Sequence, residues 1–597
     1  MKIYFLSLLL LDGLVVEFSK YDSAKAHTYL NFAAHRRCSN NFRDECMLGI
    51  FQTALKQLEV LTEKGFIAEV VELTKDCLTY DFMAIMVDET EDALSAQFPT
   101  PWKEILLMPH TQDVLWGQHR ALPYPHCEVL LTGLASLCGV RRTFFETQED
   151  RTAYIDEALS RLVEILANPP PDYRLTVPHY VNSFAEACTR LIAPFGYRDL
   201  HVSNVFLTWV KHLYALSQQV FATPFGQSGS FTTATTMMNF WARLCTSRRM
   251  YAGIDEPPSD IELLVPSLVM DIFRSRVHAP KSGGDGKSEG ASGTASCTPP
   301  QGGNEDSALI ETLMDDMDGA MEAVLSQAES LGSIAVANER ETMAALAAYA
   351  QQQLGPAVLS SPLSSGWLFF LAGSLVRQVL NNLNDDAVDS CCDFFMFCVD
   401  CVNHRRLTGG TIVNISHDSA VNTTLGNFVE KGILHLLAHM QHVLGESRQN
   451  SSTGRILVNL FQSRARLFQF VLDNTGGNML RSPQGTADEE TAEIMRASID
   501  IIDDAVREVP SSVLAEVSFD LPPVVQLPLA QSISTYKLRT QMYHILWPLN
   551  VVSRGPAAGL AATTAMATLT AAAVTRNTPP RSCSAFCGRL PCACERP

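Results

Sequence analysis

Cys391, Cys392, Cys398, Cys401 and His404 gather five potential metal ligands in one short stretch, the last three spaced Cys-x2-Cys-x2-His. Thiolate and imidazole ligands so spaced can hold zinc. Phe394, Phe395, Phe397 and Val402 surround them, however, and cysteines in such company behave as small hydrophobes, so a buried helix is expected. His435, His439 and His442 share one face of a helical pattern, opposite Ile433, Leu437 and Met440. A metalloprotease would need a glutamate where Leu436 stands, which leaves a solvated histidine face as the expectation. Gly286-Lys287-Ser288 ends like a phosphate-cradling loop, but Lys281 occupies the first glycine position and the preceding segment reads as helix rather than strand. Gly226-Gln227-Ser228-Gly229-Ser230 lacks the final glycine of a nucleophile elbow. Cys583, Cys587, Cys592 and Cys594 miss the paired spacing of zinc ligands. No nucleophile, base and orienting group converge. The sequence therefore assigns no catalytic, cofactor-binding or metal-ligating residue and reads as a binding protein rather than an enzyme.

The elements that would position any site are helices. Between Thr147 and Asn168, Tyr154, Ile155, Ala158, Leu159, Leu162, Val163 and Leu166 form one stripe, with Asp156, Glu157, Arg161 and Glu164 on the other side. Thr147 suits an N-cap, Glu149 and Asp150 favour the positive helix start, and Asn168-Pro169-Pro170-Pro171 ends it. Further helices are expected from Phe428 to Leu444, with Val429, Ile433, Leu436, Leu437, Met440, Val443 and Leu444 inward, and from Ile456 to Leu472. Another contains Ile494, Met495, Ile501, Ile502 and Val506. None can bury its stripe alone. Stacked as antiparallel pairs repeating every ~40 to 47 residues, they predict an all-α, HEAT-repeat (ARM-like) superhelical solenoid.

Composition fits. The hydrophobic fraction of 46% supplies a long core, while the net charge of −19 disfavours direct nucleic-acid binding. Cys46, Cys77, Cys138, Cys188 and Cys245 each sit alone among apolar helical residues, as in a reducing compartment. Asn414, Asn422 and Asn450 open short glycosylation sequons of a kind that recurs by chance. Ile3 to Leu11 imitates a signal peptide but lacks a small-x-small cleavage site, and it is too short to span a bilayer. A buried solenoid helix running through Leu14, Val15 and Phe18 is expected there, and no membrane insertion.

Several segments carry a resemblance: His35 to Glu45, Cys77 to Ala84, Phe98-Pro99-Thr100-Pro101-Trp102 on to Leu106, Val140 to Phe145, Trp241 to Leu244, Ser275 to Val277 and Gly366 to Gly373. In order and spacing they resemble the exportin-7 / Ran-binding protein 16/17 branch of the importin-β (karyopherin-β) nuclear transport receptors. The resemblance is best over about 30 to 280, patchier to 380, and faint until Arg539 to Tyr543. It implies a solenoid in two parts, 1–280 and 307–553. Between them lies a Gly/Ser-rich insertion at 281–306, expected to be disordered, and a low-complexity tail follows at 554–597. It also implies that amino-terminal repeats of a full receptor, which carry most of the family's Ran contacts, are absent. The expected function is that of a receptor carrying protein cargo through the nuclear pore in a Ran-GTP-dependent cycle, touching Phe-Gly-repeat nucleoporins and shuttling between nucleus and cytoplasm. GTP would belong to Ran, so no cofactor is expected. The alternative is a HEAT-repeat scaffold or adaptor without a transport cycle.

Overall fold

The computed structural model describes residues 2–19, 31–60, 66–82, 95–169, 174–222, 230–251, 259–277, 305–382, 387–407, 419–441, 452–476, 478, 488–509, 513 and 516–517. The sequence-predicted insertion lies outside them as far as residue 304, and Glu305 and Asp306 already belong to a helix. Tail 554–597, Arg539 to Tyr543, the P-loop-like Gly286 to Ser288 and the four tail cysteines also lie outside the described residues, as do Gly226 to Gly229.

The chain forms two compact units, one of residues 1–401 and 411–429, the other of 402–410 and 430–597. The first begins with α1 (Lys2–Ser19), α2 (Phe32–Phe42), α3 (Leu48–Glu59), α4 (Ile67–Leu78), the single turn α5 (Lys103–Leu106), α6 (Pro109–Ala121) and α7 (His126–Cys138). It continues with α8 (Gln148–Ala167), α9 (Pro178–Leu200), α10 (Phe206–Ala222), α11 (Ser230–Tyr251) and α12 (Asp260–Arg276). Beyond these come α13 (Glu305–Asp315), α14 (Met317–Ala335), α15 (Glu339–Tyr349) and α16 (Pro362–Asn382). Residues of α17 (Val388–Leu407) and α18 (Ser419–Gln441) contribute to both units, and α19 (Ser452–Phe461), α20 (Arg464–Thr475) and α21 (Asp488–Glu508) belong to the second. Among the described residues the only strand-like pairing is an isolated bridge between Ala96 and Val140.

Stacking in the first unit follows two rows. In one, α1 packs on α4, α4 on α7, α7 on α9, α9 on α11, α11 on α14 and α14 on α16. In the other, α3 packs on α6, α8 on α10, α10 on α12 and α12 on α15, while α3–α4, α6–α7, α8–α9 and α10–α11 join the rows. The all-α, stacked architecture expected from one-sided helices is therefore present. The repeat is longer than the expected 40 to 47 residues over part of its course: α7, α9 and α11 start 52 residues apart, whereas α14 and α16 start 45 apart. The row-two helices account for much of the added length: α8 has 20 residues and α10 has 17, against 11 for α15.

The α8 helix shows the local logic. Thr147 caps it through Oγ1, which accepts from the Asp150 N–H at 3.1 Å. Ile155, Ala158, Leu159, Leu162 and Ile165 are its buried residues. Ile165 replaces the expected Leu166, since a 100° step per residue rotates the stripe toward α10 by the last turn. In the second unit, the continuous helix expected from Ile456 to Leu472 is broken: Gln462 takes a positive φ of 63° and Ser463 caps α20. The apolar pattern runs through this break because α19 and α20 pack on each other. In α21, Ile494, Met495, Ile501 and Ile502 are buried as expected, with Ala505 inward where Val506 was expected.

Two of the segments that resemble the transport family, Phe98 to Trp102 and Val140 to Phe145, build joints between helices, while Trp241 to Leu244 and Gly366 to Gly373 lie inside α11 and α16. Trp102 is buried in the turn Thr100–Trp102, stacked on Phe51 at 5.1 Å and edge-on to Phe82 at 5.0 Å. Arg43 donates to the Phe82 carbonyl at 2.7 Å, and Arg142 pairs with the buried Asp199 at 2.8 Å. Farther on, α9 is interrupted after Pro194. Gly196 adopts φ 64°, open to glycine at little cost, and the following Tyr197 N–H donates to Ser247 Oγ of α11 at 2.7 Å. Contrary to the sequence expectation, Cys46 is exposed, because it falls in the π-helical turn Arg43–Met47 whose Met47 points inward. Cys77, Cys138, Cys188 and Cys245 are buried.

The amino-terminal helix also departs from expectation. Only Leu8 and Val15 of α1 are buried. Asp12 faces α4, where burial pushes its carboxyl up to about 7, aided by a hydrogen bond with Asp76 and opposed by Lys75.

Two outcomes follow. Leu159→Ala or Leu162→Ala should cost ~2 to 5 kcal/mol, with lost hydrogen-exchange protection confined to neighbouring helices. Glu157→Ala removes only an exposed pair with Arg161 and should cost about 1 kcal/mol or less. Because the folded Asp12 pKa lies above its ordinary value of 3.8, the fold holds the proton more tightly than the unfolded chain does. Its contribution to α1 docking is then complete at about pH 4 and is lost as the pH rises through about 7. Exchange protection of α1 should fall over that window, and Asp12→Asn should abolish the dependence.

Candidate functional site

The α6 and α8 helices approach less closely than the other neighbours in their row, and side chains span the gap. Arg120 of α6 pairs with Glu164 of α8, and Arg161 of α8 reaches back to Asp113 of α6. Beneath this bridge lies a cavity of about 140 Å³, lined by Trp116, Gly117, His119, Arg120, Arg161, Glu164, Ile165 and Asn168.

Local folding sets each wall. Pro109 opens α6 at a position whose N–H would lack a helical partner anyway. Leu115, Trp116 and His119 then share the inward face. Trp116 Nε1 donates to Gln112 Oε1 one turn earlier at 3.1 Å, which fixes the indole plane. The end of α6 is held by the buried Arg174, which donates to the carbonyls of His119 at 3.0 Å and Leu122 at 2.8 Å. These carbonyls have no continuing helix to serve them, so a buried guanidinium is a strong substitute. The His119 Nε2 lies 3.1 Å from the Tyr180 hydroxyl of α9, and the Arg174 guanidinium sits over the Tyr180 ring at 5.7 Å. The floor is thus anchored to the next helix of the other row. At the mouth, Gly117 has nothing within 4 Å of the place a Cβ would take.

Chemically the cavity could accept a small flat apolar group. Indole and isoleucine walls offer dispersion contacts, and a cavity of ~150 Å³ is known to accept a benzene ring. Two arginines at the rim could meet a carbonyl or carboxylate beside that ring. Sequence reading missed this site. A tryptophan followed by glycine on a helix was the available signal: a large wall beside an absent side chain.

The sequence candidates resolve differently. Cys391, Cys392, Cys398 and Cys401 are buried while His404 is exposed. Burial raises the Cys391 and Cys398 thiols and pushes Cys401 up to about 12. Such thiols pack as apolar groups. Among the described residues no group of three or more His, Cys, Asp or Glu side chains is placed to hold a metal ion. His435 and His439 are not on a solvated face: both are half-buried, with rings edge to face at 4.6 Å, because Leu434 on their side is buried as well. His442 lies outside the described residues. No described helix is long and apolar enough to cross a membrane.

No family model matches the chain. Ran-binding protein 17 of Homo sapiens is 28% identical over 148 residues, 23% of this chain and 14% of that protein. Exportin-7-B of Xenopus laevis is 26% identical over 177 residues, 28% of this chain and 16% of the other. Exportin-7 of Dictyostelium discoideum is 21% identical over 280 residues, 46% of this chain and 26% of the other. Part of this chain is distantly homologous to the exportin-7 and Ran-binding protein 16/17 family. The chain spans only 14% to 26% of the length of these exportin-7-type relatives. Among solved structures, that of SYS-1 aligns over 89% of this chain and 100% of its own at 9% identity, with a TM-score of 0.26. A circular tandem repeat protein does so over 89% and 98%, at 12% identity and a TM-score of 0.20. At those scores the structural likeness carries no argument, and the homology rests on sequence.

Gly117→Ala should stabilise the first unit by about 0.5 to 1 kcal/mol, since it improves helix propensity without meeting a neighbour. Trp116→Ala should cost ~3 to 5 kcal/mol. Denaturant unfolding of the two variants would measure both.

Proposed function

We propose that this chain is a helical-repeat nuclear transport receptor of the exportin-7 kind. It would bind Ran in its GTP state together with protein cargo and pass the pore by contacts with Phe-Gly-repeat nucleoporins. The observation that carries the reading is the distant homology of part of this stacked helical chain to exportin-7-type proteins, and the α6–α8 cavity of about 140 Å³ offers one place where a phenyl ring could dock. Homology to proteins called exportins and Ran-binding proteins supplies the choice of partners. One ring in one groove binds weakly, but many such contacts in series give useful avidity with fast exchange. Ran and cargo would each raise the affinity of the other by the same factor.

Two measurements test it. A Phe-Gly repeat peptide should bind the full chain and lose at least tenfold in affinity to Gly117→Leu, whose side chain fills the mouth of the groove. Pull-downs with Ran locked in each nucleotide state should favour the GTP form. No preference, together with peptide binding untouched by Gly117→Leu, would overturn the transport reading and leave the scaffold or adaptor, an alternative kept in view by the small share of each relative that the chain covers.

A further inference from the structure

The mouth of the α6–α8 cavity carries more carboxylates than its arginines can neutralise. Arg120 holds Glu164, while Arg161 serves Asp113 of α6, Glu157 one turn earlier on α8 at 2.7 Å, and Glu164 at 4.0 Å. Two guanidinium groups thus answer three carboxylates, whose side chains are 63%, 49% and 41% exposed. The imbalance extends along both helices. Together α6 and α8 carry six Asp or Glu residues and three Arg, and the third arginine, Arg151, is taken by Asp199 of α9.

The excess is placed beside the apolar floor rather than in it. Arg161 and Glu164 line the cavity, whereas Asp113 and Glu157 stand a turn before its walls, the first ahead of Trp116 and Gly117, the second ahead of Arg161. A peptide side chain that fills the floor leaves the next residue of its chain at this mouth, ~3.3 Å farther along an extended backbone. A cation there meets carboxylates that Arg161 has to share. A carboxylate there would add a fourth negative charge, although the guanidinium groups, with five N–H donors each, can still serve a neutral peptide carbonyl. The floor sets the other half of the choice: a cavity of about 140 Å³ matches one six-membered ring, and an indole is larger by a fused ring.

We propose that the α6–α8 cavity selects a phenylalanine or tyrosine ring carried next to a lysine or arginine, the ring seated against Trp116 and Ile165 and the cation held by Asp113, Glu157 and Glu164. This selection rests on the reading of the cavity as a site for a ring and adds the charge of the segment that bears it. Exposed ion pairs are individually weak, so the charge tunes binding that the ring provides.

Short peptides with one 4-fluorophenylalanine followed by lysine, glycine or glutamate, titrated with the full chain and followed by fluorine NMR, measure the selection. At low salt the lysine peptide should bind about fivefold more tightly than the glutamate peptide, with the glycine peptide between them, and the difference should close at about 1 M salt. Glu157 is not a wall of the cavity, so Glu157→Gln changes the charge at the mouth without reshaping the floor, and it should reduce the lysine-to-glutamate ratio to about twofold. Equal binding of the three peptides, each lost with Gly117→Leu, overturns the charge selection and leaves the ring site standing. Binding that is absent, or indifferent to Gly117→Leu, removes the ring site and this inference with it. A lysine preference that keeps its full size in Glu157→Gln overturns the assigned carboxylates.

Discussion

A helix with one apolar stripe cannot be stable in water by itself, and everything else in the first unit follows from the need to cover those stripes. Row-one helices such as α9 are buried on more than one side: Tyr180, Phe184 and Leu191 lie on one face, Ala185 and Thr189 on another, and all are buried. Row-two helices such as α8 keep one charged side in solvent. The difference shows in the sequence as breadth of the apolar stripe, and it fixes which row a helix joins. Because each helix is completed by its neighbours, stability is local and additive along the stack.

The same constraint explains where grooves arise. Neighbours close up along α9 and α11. Between α6 and α8 the helices stay bridged by ions over an apolar floor. A binding site in such a protein is an incompletely filled contact between repeats, shaped by residues whose first duty is structural. His119 and Arg174 illustrate this: they close the end of α6 and at the same time form or support the floor.

Fold class was legible because periodicity reports burial directly, and Thr147, Leu159 and Leu162 stand where the pattern put them. Boundaries were less legible. Nothing in the run from Ile456 to Leu472 announces that Gln462 turns into a left-handed conformation, since the helices on both sides keep their apolar phase. For α1 the pattern showed an apolar helix but could not tell a face covered by its own chain from an exposed one. The groove was hidden for a different reason: it is made between elements 40 residues apart, and only Trp116-Gly117 hinted at it. By contrast, the aromatic residues that carried the family resemblance serve packing, Trp102 in a joint and Trp241 and Trp367 inside α11 and α16, so the resemblance spoke of architecture before it spoke of partners.

Between Pro194 and Tyr197, α9 is two rods rather than one, and the angle between them is set by the Ser247 hydroxyl. An unbroken helix bends only by stretching many carbonyl–amide bonds together, which makes it stiff. Here the segment beyond Gly196 is held instead by side chains: Ser247 accepts from Tyr197, Arg248 lies over the Tyr197 ring and Arg142 pairs with Asp199. The break therefore lets the two segments of α9 run in different directions while each keeps its own packing, a change of course written into one glycine rather than spread over many turns.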